Sequence, residues 1–218
     1  MTWNEKYHLM AGGKGIKNMN KIGIYNVLTI GIEESIVASG LSHKPEFNSA
    51  EFFLEVESLK VRKEEHPAYK RALKLAKAPI GLGHDCFLKG IIVQFNITAS
   101  MVWWMQAERY RHLDIVTMQS KMHSLDKMLN LGYANENVDN KMVTRLINLK
   151  EQGADNVELA YNCPMGVCLT ARVSTNYMQL KTIYAQRKNH KLPEWQEFCK
   201  WIKTLPYAEM ITNDNDNY

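Results

Sequence analysis

The stretch Gln106–His123, QAERYRHLDIVTMQSKMH, brings cations, amides and hydroxyls to the end of the most apolar segment of the sequence. Thr98 or Ser100 lies ahead of it and can cap a helix, because a side-chain oxygen there accepts hydrogen bonds from free backbone N–H groups. We therefore predict a helix that runs to about Leu113. Cations in the last turn of a helix interact favourably with the unpaired carbonyl groups there, and each stabilises the helix by roughly 0.3–1 kcal/mol. An amphipathic helix with a charged end would explain the stretch without any ligand.

The segments around this helix predict an α+β fold. Residues 87–97 alternate in polarity and are rich in β-branched side chains, which is typical of a strand, and residues 167–174 predict a second strand. Apolar periodicity and start signals predict further helices at 46–62, 67–77, 139–152, 175–190 and 193–205. This order favours one α+β domain, with a central antiparallel or mixed sheet flanked by helices, over a βαβ series.

The chain of 218 residues is long enough for one domain with a sizeable core. No linker divides it, so the predicted domain covers residues 21–208. Residues 1–20 are expected to form a peripheral N-terminal segment. Residues 209–218 are expected to form a flexible tail, because their last eight residues, ITNDNDNY, are mostly polar.

Composition argues against several classes of protein. The net charge is only +4, with acidic residues interspersed among the basic ones, whereas a nucleic-acid binder concentrates its cations on one face. No window approaches the roughly 18 apolar residues of a membrane span, and residues 1–18 lack the apolar core of a signal peptide. The four cysteines show no dense disulfide pattern. We therefore expect a cytoplasmic protein with neither a membrane nor a nucleic acid as partner.

Three short patterns resemble ligand motifs without completing them. Residues 11–15, AGGKG, lack the spacing of a phosphate-binding P-loop, and residues 81–84, GLGH, lack the third glycine of a dinucleotide fingerprint. Cys163 and Cys168 could ligate a metal, but no second ligand pair follows at zinc spacing. Buried thiols are the better interpretation, and no metal site is predicted.

Two clusters of donors and aromatic side chains indicate an anionic heterocycle as ligand. Residues 117–121 supply hydroxyls, an amide and an ammonium group, and phosphate accepts several charge-assisted hydrogen bonds from such groups. Residues 176–190 predict a helix with one apolar side, from which Arg187 and His190 emerge near the C-terminal end. Arginine beside aromatic rings suits a planar ring that carries phosphate.

At these residues the sequence resembles the flavin-dependent thymidylate synthase family. The family signature runs Arg-His-Arg, two residues, Ser, one, Asn, two, Ser, one, Arg. Here Arg109, Tyr110 and Arg111 open the equivalent stretch and Lys121 closes it, while the polar positions between them are changed.

Co-linear positions strengthen the resemblance over about residues 79–205. His84 lies where the family has a histidine ahead of a strand, about 25 residues before the first signature arginine, and Gln106 matches a glutamine just before that arginine. Downstream, Pro164 and a predicted strand precede a helix that opens at Asn176. Arg187 follows eleven residues later, at the family spacing.

The resemblance implies a homotetramer that binds FAD and dUMP in clefts shared between subunits. It also implies transfer of a methylene group from methylenetetrahydrofolate to C5 of dUMP, with hydride from reduced FAD that NADPH regenerates. By position it assigns FAD to His84, Arg109, Tyr110, Arg111 and Asn176. It assigns dUMP to Gln106, Thr117, Gln119, Ser120, Lys121 and Arg187, and we add Arg172 as a further dUMP contact in place of an arginine that this sequence lacks. Arg187 is the expected catalytic residue, since charge that develops on the uracil ring needs a fixed cation nearby.

Several positions depart from the family pattern. Tyr110 replaces a histidine, while Met178 and Ala160 replace arginines, and Arg172 is proposed as a substitute for the second of these. Two alternatives therefore stay open: another flavin- and folate-linked C5 modification, such as hydroxymethylation, or a nucleotide-binding homologue without catalysis. The candidate residues also fit structural roles, as turn residues, helix-end cations or solvated charges.

Overall fold

The structure is a computed structural model that describes residues 22–130 and 132–212. The predicted peripheral segment, residues 1–20, lies outside the described residues, as do residues 213–218 of the predicted tail. The first residues of that tail are described, and Met210 and Ile211 are buried. The packed part of the chain therefore runs to at least Ile211.

Four strands form the sheet, with bounds Gly23–Ile30 (β1), Ile92–Ser100 (β2), Leu113–Met118 (β3) and Cys168–Asn176 (β4). They are antiparallel and lie in the order β1–β2–β4–β3. Alternation decides which face is buried, since successive side chains of a strand point to opposite faces. Val93, Phe95 and Ile97 are fully buried, whereas Gln94 and Asn96 between them are half-buried. The predicted α+β class with an antiparallel sheet is confirmed.

The described α-helices are Ile32–Ala38 (α1), Ser49–Val61 (α2), Pro67–Ala76 (α3), Met101–Ala107 (α4), Lys121–Asn130 (α5), Asn140–Glu151 (α6), Asn156–Asn162 (α7), Tyr177–Arg187 (α8) and Pro193–Ile202 (α9). Asn48, Ser100, Asp155 and Asn176 each cap a helix by accepting a hydrogen bond from a backbone N–H in its first turn. Within the described part of the chain, no helix combines the length and the apolarity that crossing a membrane requires.

The helix predicted after Ser100 is too long, and the strand predicted over 87–97 begins too early. Helix α4 ends at Ala107, a turn occupies 108–112, and β3 follows. Pairing with β4 overrides the local helical pattern, because the backbone N–H of Gln119 donates to the carbonyl oxygen of Thr170 at 2.9 Å. A short 3-10 turn occupies 86–90, so that β2 starts only at Ile92.

The described chain packs as two compact units, and each takes three separate segments of the sequence. The described residues of unit 1 fall within 22–28, 94–174 and 192–197, and those of unit 2 within 29–93, 175–191 and 198–212. Because neither unit is one continuous segment, no linker separates two domains. This agrees with the predicted single domain.

Each unit has its own apolar core. In unit 1, the rings of Trp103 and Trp195 lie 4.8 Å apart between centroids, and Trp104 donates from Nε1 to the carbonyl oxygen of Leu169 at 3.1 Å. A second cluster in this unit joins α5, α6 and α7 through Leu125, Leu129, Leu146, Leu159 and Val167. In unit 2, the apolar side predicted for α8 is buried at Tyr177, Leu180, Ile183 and Tyr184.

Candidate functional site

Arg109, Tyr110 and Arg111 lie in the turn that follows α4 in unit 1. The start of α4 is fixed by Glu194, whose carboxylate accepts from the backbone N–H of Ser100 at 2.8 Å and from its hydroxyl at 2.7 Å. Both arginines are exposed, whereas Tyr110 is half-buried. The helix thus ends in a turn that presents two guanidinium groups to solvent, where they can reach an anion.

Trp195 joins two of the predicted ligand residues to the aromatic core. Its indole N–H donates to Oε1 of Gln106 at 2.9 Å. The ring of Tyr110 meets the indole edge-on, with centroids 5.7 Å apart and planes at 68°. Gln106 and Tyr110 are therefore brought together, but both already contact Trp195 within unit 1.

The donors of the 117–121 stretch bridge the end of β3 and the start of α5. Thr117 is exposed at the end of β3, and Ser120 directly precedes α5, which Lys121 opens. Gln119 has a structural partner, since its Oε1 accepts from the backbone N–H of Thr170 at 2.8 Å. The backbone N–H groups at a helix start and an adjacent ammonium group are suited to binding an anion.

The charge of Lys121 also affects the pKa of a cysteine thiol in the same unit. Burial raises the pKa of the Cys163 thiol, and the positive charge of Lys121 opposes that rise. Cys168 is buried, and burial together with the charge of Glu194 raises its pKa to about 12. All four cysteines are free thiols. Among the described residues, no group of three His, Cys, Asp or Glu side chains could hold a metal ion.

Arg172 forms hydrogen bonds across the polar face of the sheet. One guanidinium nitrogen donates to the backbone oxygen of Asn26 at 2.8 Å and to Oδ1 of Asn96 at 3.2 Å. The other donates to Oε1 of Gln94 at 3.2 Å. These contacts tie β4 to β2 and β1, so Arg172 has a structural role on the sheet in addition to any contact with a nucleotide.

Asn176 and Arg187 lie at opposite ends of α8 in unit 2. The side chain of Asn176 caps the helix by accepting from the backbone N–H of Gln179 at 2.9 Å. Arg187 is the last residue of α8 and is half-buried. Burial lowers the pKa of His190, and the guanidinium of Arg187 lowers it further. The two groups are therefore near enough to influence each other.

His84 lies in the wall of a cavity in unit 2. The cavity has a volume of about 660 Å³, and its lining includes the polar residues Ser35, Ser39, Ser42, His43 and His84, the exposed Cys86, and the apolar residues Leu75 and Phe87. Ligand cavities are typically about 300–1,000 Å³. Its size and its mixture of donors and aromatic rings suit a polar heterocycle.

Sequence reasoning missed most residues of this cavity and the ion pair beside it. Lys181 and Asp85 are both buried and lie 2.7 Å apart between Nζ and Oδ2. Lys181 could have been noticed, because it falls between Tyr177 and Tyr184 on the apolar side of α8. A lysine at such a position needs a partner. The cavity serines follow no periodic pattern, and no local signal indicates them.

Comparison with known proteins identifies the fold. No protein-family model and no curated protein matches the sequence. The structure is similar to that of thymidylate synthase X (ThyX) from Helicobacter pylori with FAD and dUMP, with a TM-score of 0.63 and 16% identity over 88% of this chain and 97% of that chain. A second structure of flavin-dependent ThyX from Helicobacter pylori, also with FAD and dUMP, gives a TM-score of 0.58 and 14% identity over 89% and 98%. The chain therefore has a fold of the flavin-dependent thymidylate synthase type, as predicted.

Proposed function

We propose that this protein is a flavin-dependent thymidylate synthase-like enzyme, which methylates dUMP to dTMP with methylenetetrahydrofolate, reduced FAD and NADPH. The observation that carries the proposal is the likeness, over 88% of the chain, to an enzyme solved with FAD and dUMP. The candidate residues that the sequence places in register with the family support it. The proposed homotetramer would supply each site with residues from several subunits.

The start of α5 supports a nucleotide phosphate in unit 1. Ser120 and Lys121 stand at the helix start, where backbone N–H groups and the positive end of the helix dipole favour an anion. Thr117, three residues before Ser120, is exposed and adds a hydroxyl. We assign the dUMP phosphate to these three residues.

The cavity of unit 2 supports a flavin. Its volume of about 660 Å³ and the serine and histidine residues of its lining, His84 among them, fit a polar ring system. The exposed Arg109 and Arg111 of unit 1 fit a pyrophosphate, because a guanidinium group can donate two parallel hydrogen bonds to phosphate oxygens. The residues present are therefore compatible with FAD.

The chain's own contribution to the chemistry would be orientation and charge stabilisation. FAD, when bound and reduced, supplies hydride, so no enzyme nucleophile is needed. Arg187 would hold the pyrimidine and stabilise the negative charge that develops on its ring during reaction at C5. Its fork of N–H donors can bind a carbonyl oxygen and keep the ring in one orientation.

A nucleotide-binding homologue without catalysis is the second candidate. Gln106, Gln119 and Arg172, all assigned to dUMP, already have hydrogen-bond partners in unit 1, at Trp195, Thr170 and the strand residues described above. Binding dUMP through these side chains would require them to exchange those partners. This exchange would disturb the orientation of dUMP that turnover needs. It would affect binding less, because the phosphate is assigned to other residues.

Titration with FAD tests the proposal directly. The purified protein should be yellow or should take up added FAD, with the absorbance of a bound flavin. Arg109→Ala/Arg111→Ala should weaken uptake by roughly tenfold or more, since each lost charged hydrogen bond costs about 1.5–3 kcal/mol. Arg145→Ala is the control. It removes an exposed cation of α6 that has no assigned role, and this variant should bind FAD as tightly as the parent does.

Cys86 offers a second readout of the same site. It is exposed and lines the cavity, so a thiol reagent should label it, and FAD should protect it from labelling. Folded protein that takes up no FAD would refute the proposal. Binding of FAD and dUMP without turnover would support the inactive homologue, and product analysis would distinguish dTMP from a hydroxymethylated nucleotide.

A further inference from the structure

The loop between α3 and β2 carries His84 and contains two glycines with positive φ. Gly81 has φ +99° and Gly83 has φ +81°, in the left-handed region that favours glycine. No atom lies within 4 Å of a Cβ built at either position, so backbone conformation and not space requires glycine there. A loop with two such glycines has little intrinsic preference for one conformation.

Lys181 holds both ends of this loop. Its ammonium group donates to the carbonyl oxygen of Ala78 at 2.7 Å and to Oδ2 of Asp85 at 2.7 Å. Ala78 lies just beyond the end of α3, and Asp85 follows His84 directly. One buried cation on α8 thus fixes the residues on either side of Gly81 and Gly83.

Stability alone does not account for this ion pair. The side chains of Lys181 and Asp85 are 3% and 0% exposed, and removing two charges from water is so unfavourable that apolar replacements often stabilise a protein. Oδ1 of Asp85 has no hydrogen-bond partner in the described part of the chain, which adds to the desolvation cost. An apolar pair could not donate a hydrogen bond to the carbonyl oxygen of Ala78, as Lys181 does.

We infer that Lys181 is a positioning residue, which fixes the 78–85 loop and thereby holds His84 on the wall of the cavity. The inference rests on the proposed function for the statement that the cavity receives a flavin. The restraint on the loop follows from the contacts of Lys181 alone. Without Lys181, the loop would sample other conformations and the cavity would have to be reformed when a ligand binds.

The decisive variant is Lys181→Met/Asp85→Leu, which replaces the ion pair with apolar side chains. Its melting temperature should be close to that of the parent or higher, because no unpaired charge remains buried. Hydrogen exchange of the amides of Leu82 and Cys86, which donate to the carbonyl oxygens of Pro79 and Gly83 in this loop, should nevertheless be about tenfold faster or more, as expected for the loss of a charged hydrogen bond. FAD affinity should fall by a similar factor. Lys181→Met alone would leave Asp85 unpaired and should lower the melting temperature markedly.

Lys44→Met is the matched control. It removes a lysine of the same unit that pairs with Glu51 and Glu55 near the surface, and loop exchange should not change. Unchanged loop exchange in the double variant would overturn the inference. So would faster exchange with parental FAD affinity. If the parent itself bound no FAD, the proposed function would fail, and the exchange rates would still decide whether Lys181 restrains the loop.

Discussion

Arg187 is the residue on which the proposed chemistry depends. It ends α8, is half-buried, and its charge reaches both His190 and Cys199. Burial raises the pKa of Cys199 to about 12, while Lys203 and Arg187 oppose the rise. The guanidinium therefore acts on its surroundings as a fixed positive charge, which is what the assigned role requires.

Replacement of Arg187 separates its charge from its geometry. Arg187→Lys keeps the charge but loses the planar fork, so dUMP affinity should fall by roughly ten- to a hundredfold, the equivalent of one charged hydrogen bond. FAD absorbance should be unaffected, and Arg187→Ala should abolish turnover. Calorimetric titration with dUMP measures the effect. Lys191→Ala, an exposed cation just beyond the helix, is the control. Parental dUMP affinity in Arg187→Ala would remove Arg187 from the site.

Glu194 should be a major source of stability in unit 1. Glu194 is 4% exposed, and its carboxylate accepts two hydrogen bonds from Ser100 at the start of α4. Glu194→Ala should lower the free energy of unfolding by at least about 2 kcal/mol, because those N–H and O–H donors would lose a charged partner. Denaturant unfolding measures the change. Glu108→Ala, at an exposed position after α4, should change stability by less than about 0.5 kcal/mol.

At the residue scale, the sequence predicted roles that depend on local chemistry and missed those that depend on distant partners. Ser100 is one of the two caps that the sequence predicts, with Thr98 as the other, because a hydroxyl ahead of an apolar helix is a local signal. The partner of Gln119 could not be predicted, since Thr170 lies 51 residues away. The same holds for Lys181 and Asp85, which are 96 residues apart.

At the element scale, the 3-10 turn Ala208–Met210 is held against α3 by a pH-dependent contact. Tyr69 donates to Oε1 of Glu209 at 2.7 Å, and the ammonium group of Lys63 lies 3.1 Å from the same oxygen. Burial alone would raise the pKa of Glu209, but the hydrogen bond from Tyr69 and the charge of Lys63 outweigh it. The pKa of this carboxyl therefore lies below its ordinary value.

This contact should stabilise the protein at neutral pH and be lost in acid. A carboxyl whose pKa is lower in the folded state contributes stability above its unfolded pKa, and loses it as the pH falls through its folded pKa. Glu209→Gln should therefore lower the melting temperature at neutral pH, and the difference from the parent should shrink below about pH 4.5. Melting curves between about pH 3 and 7 measure it. A difference independent of pH would contradict the assignment. Glu64→Gln, an exposed carboxyl, is the control.

Strands were harder to predict than helices in this chain. Helix α8 could be predicted because Tyr177, Leu180 and Ile183 recur at helical spacing. Strand β3 is only six residues long and follows a charged turn, so its pairing with β4, not its own sequence, decides its conformation. The prediction omits β1, although GIYNVLTI is rich in β-branched residues and could have indicated it.

At the scale of the whole molecule, α2 presents apolar side chains on two sides. Val56 and Leu59 are buried, whereas Leu54 and Val61, which lie on another face, are 71% and 82% exposed. The proposed homotetramer gives these side chains a partner, a second copy of the chain. Light scattering should show a tetramer for the parent and a smaller species for Leu54→Glu. Val157→Glu, on α7, should remain a tetramer. A monomeric parent at micromolar concentration would exclude sites shared between subunits.

The overall fold could be predicted more securely than the site. Spacings of single residues, such as the eleven positions from Asn176 to Arg187, carry the family resemblance, and the fold comparison agrees with it. Side-chain partners follow from packing that no local pattern encodes. For that reason Gln106 could be assigned to dUMP by position and Arg172 as the substitute for a missing arginine, while their contacts with Trp195 and the sheet could not be foreseen.

The sequence separation between Ser100 and Glu194 also bears on how the protein is made. Chains are synthesised from the N-terminus, and folding can begin before synthesis is complete. Glu194, which accepts hydrogen bonds from the cap residue Ser100 of α4, is translated 94 residues after it. Until then the nascent chain carries Trp103 without the indole of Trp195 that covers it. Unit 1 therefore cannot complete its core around Trp103 until the intervening residues have been added.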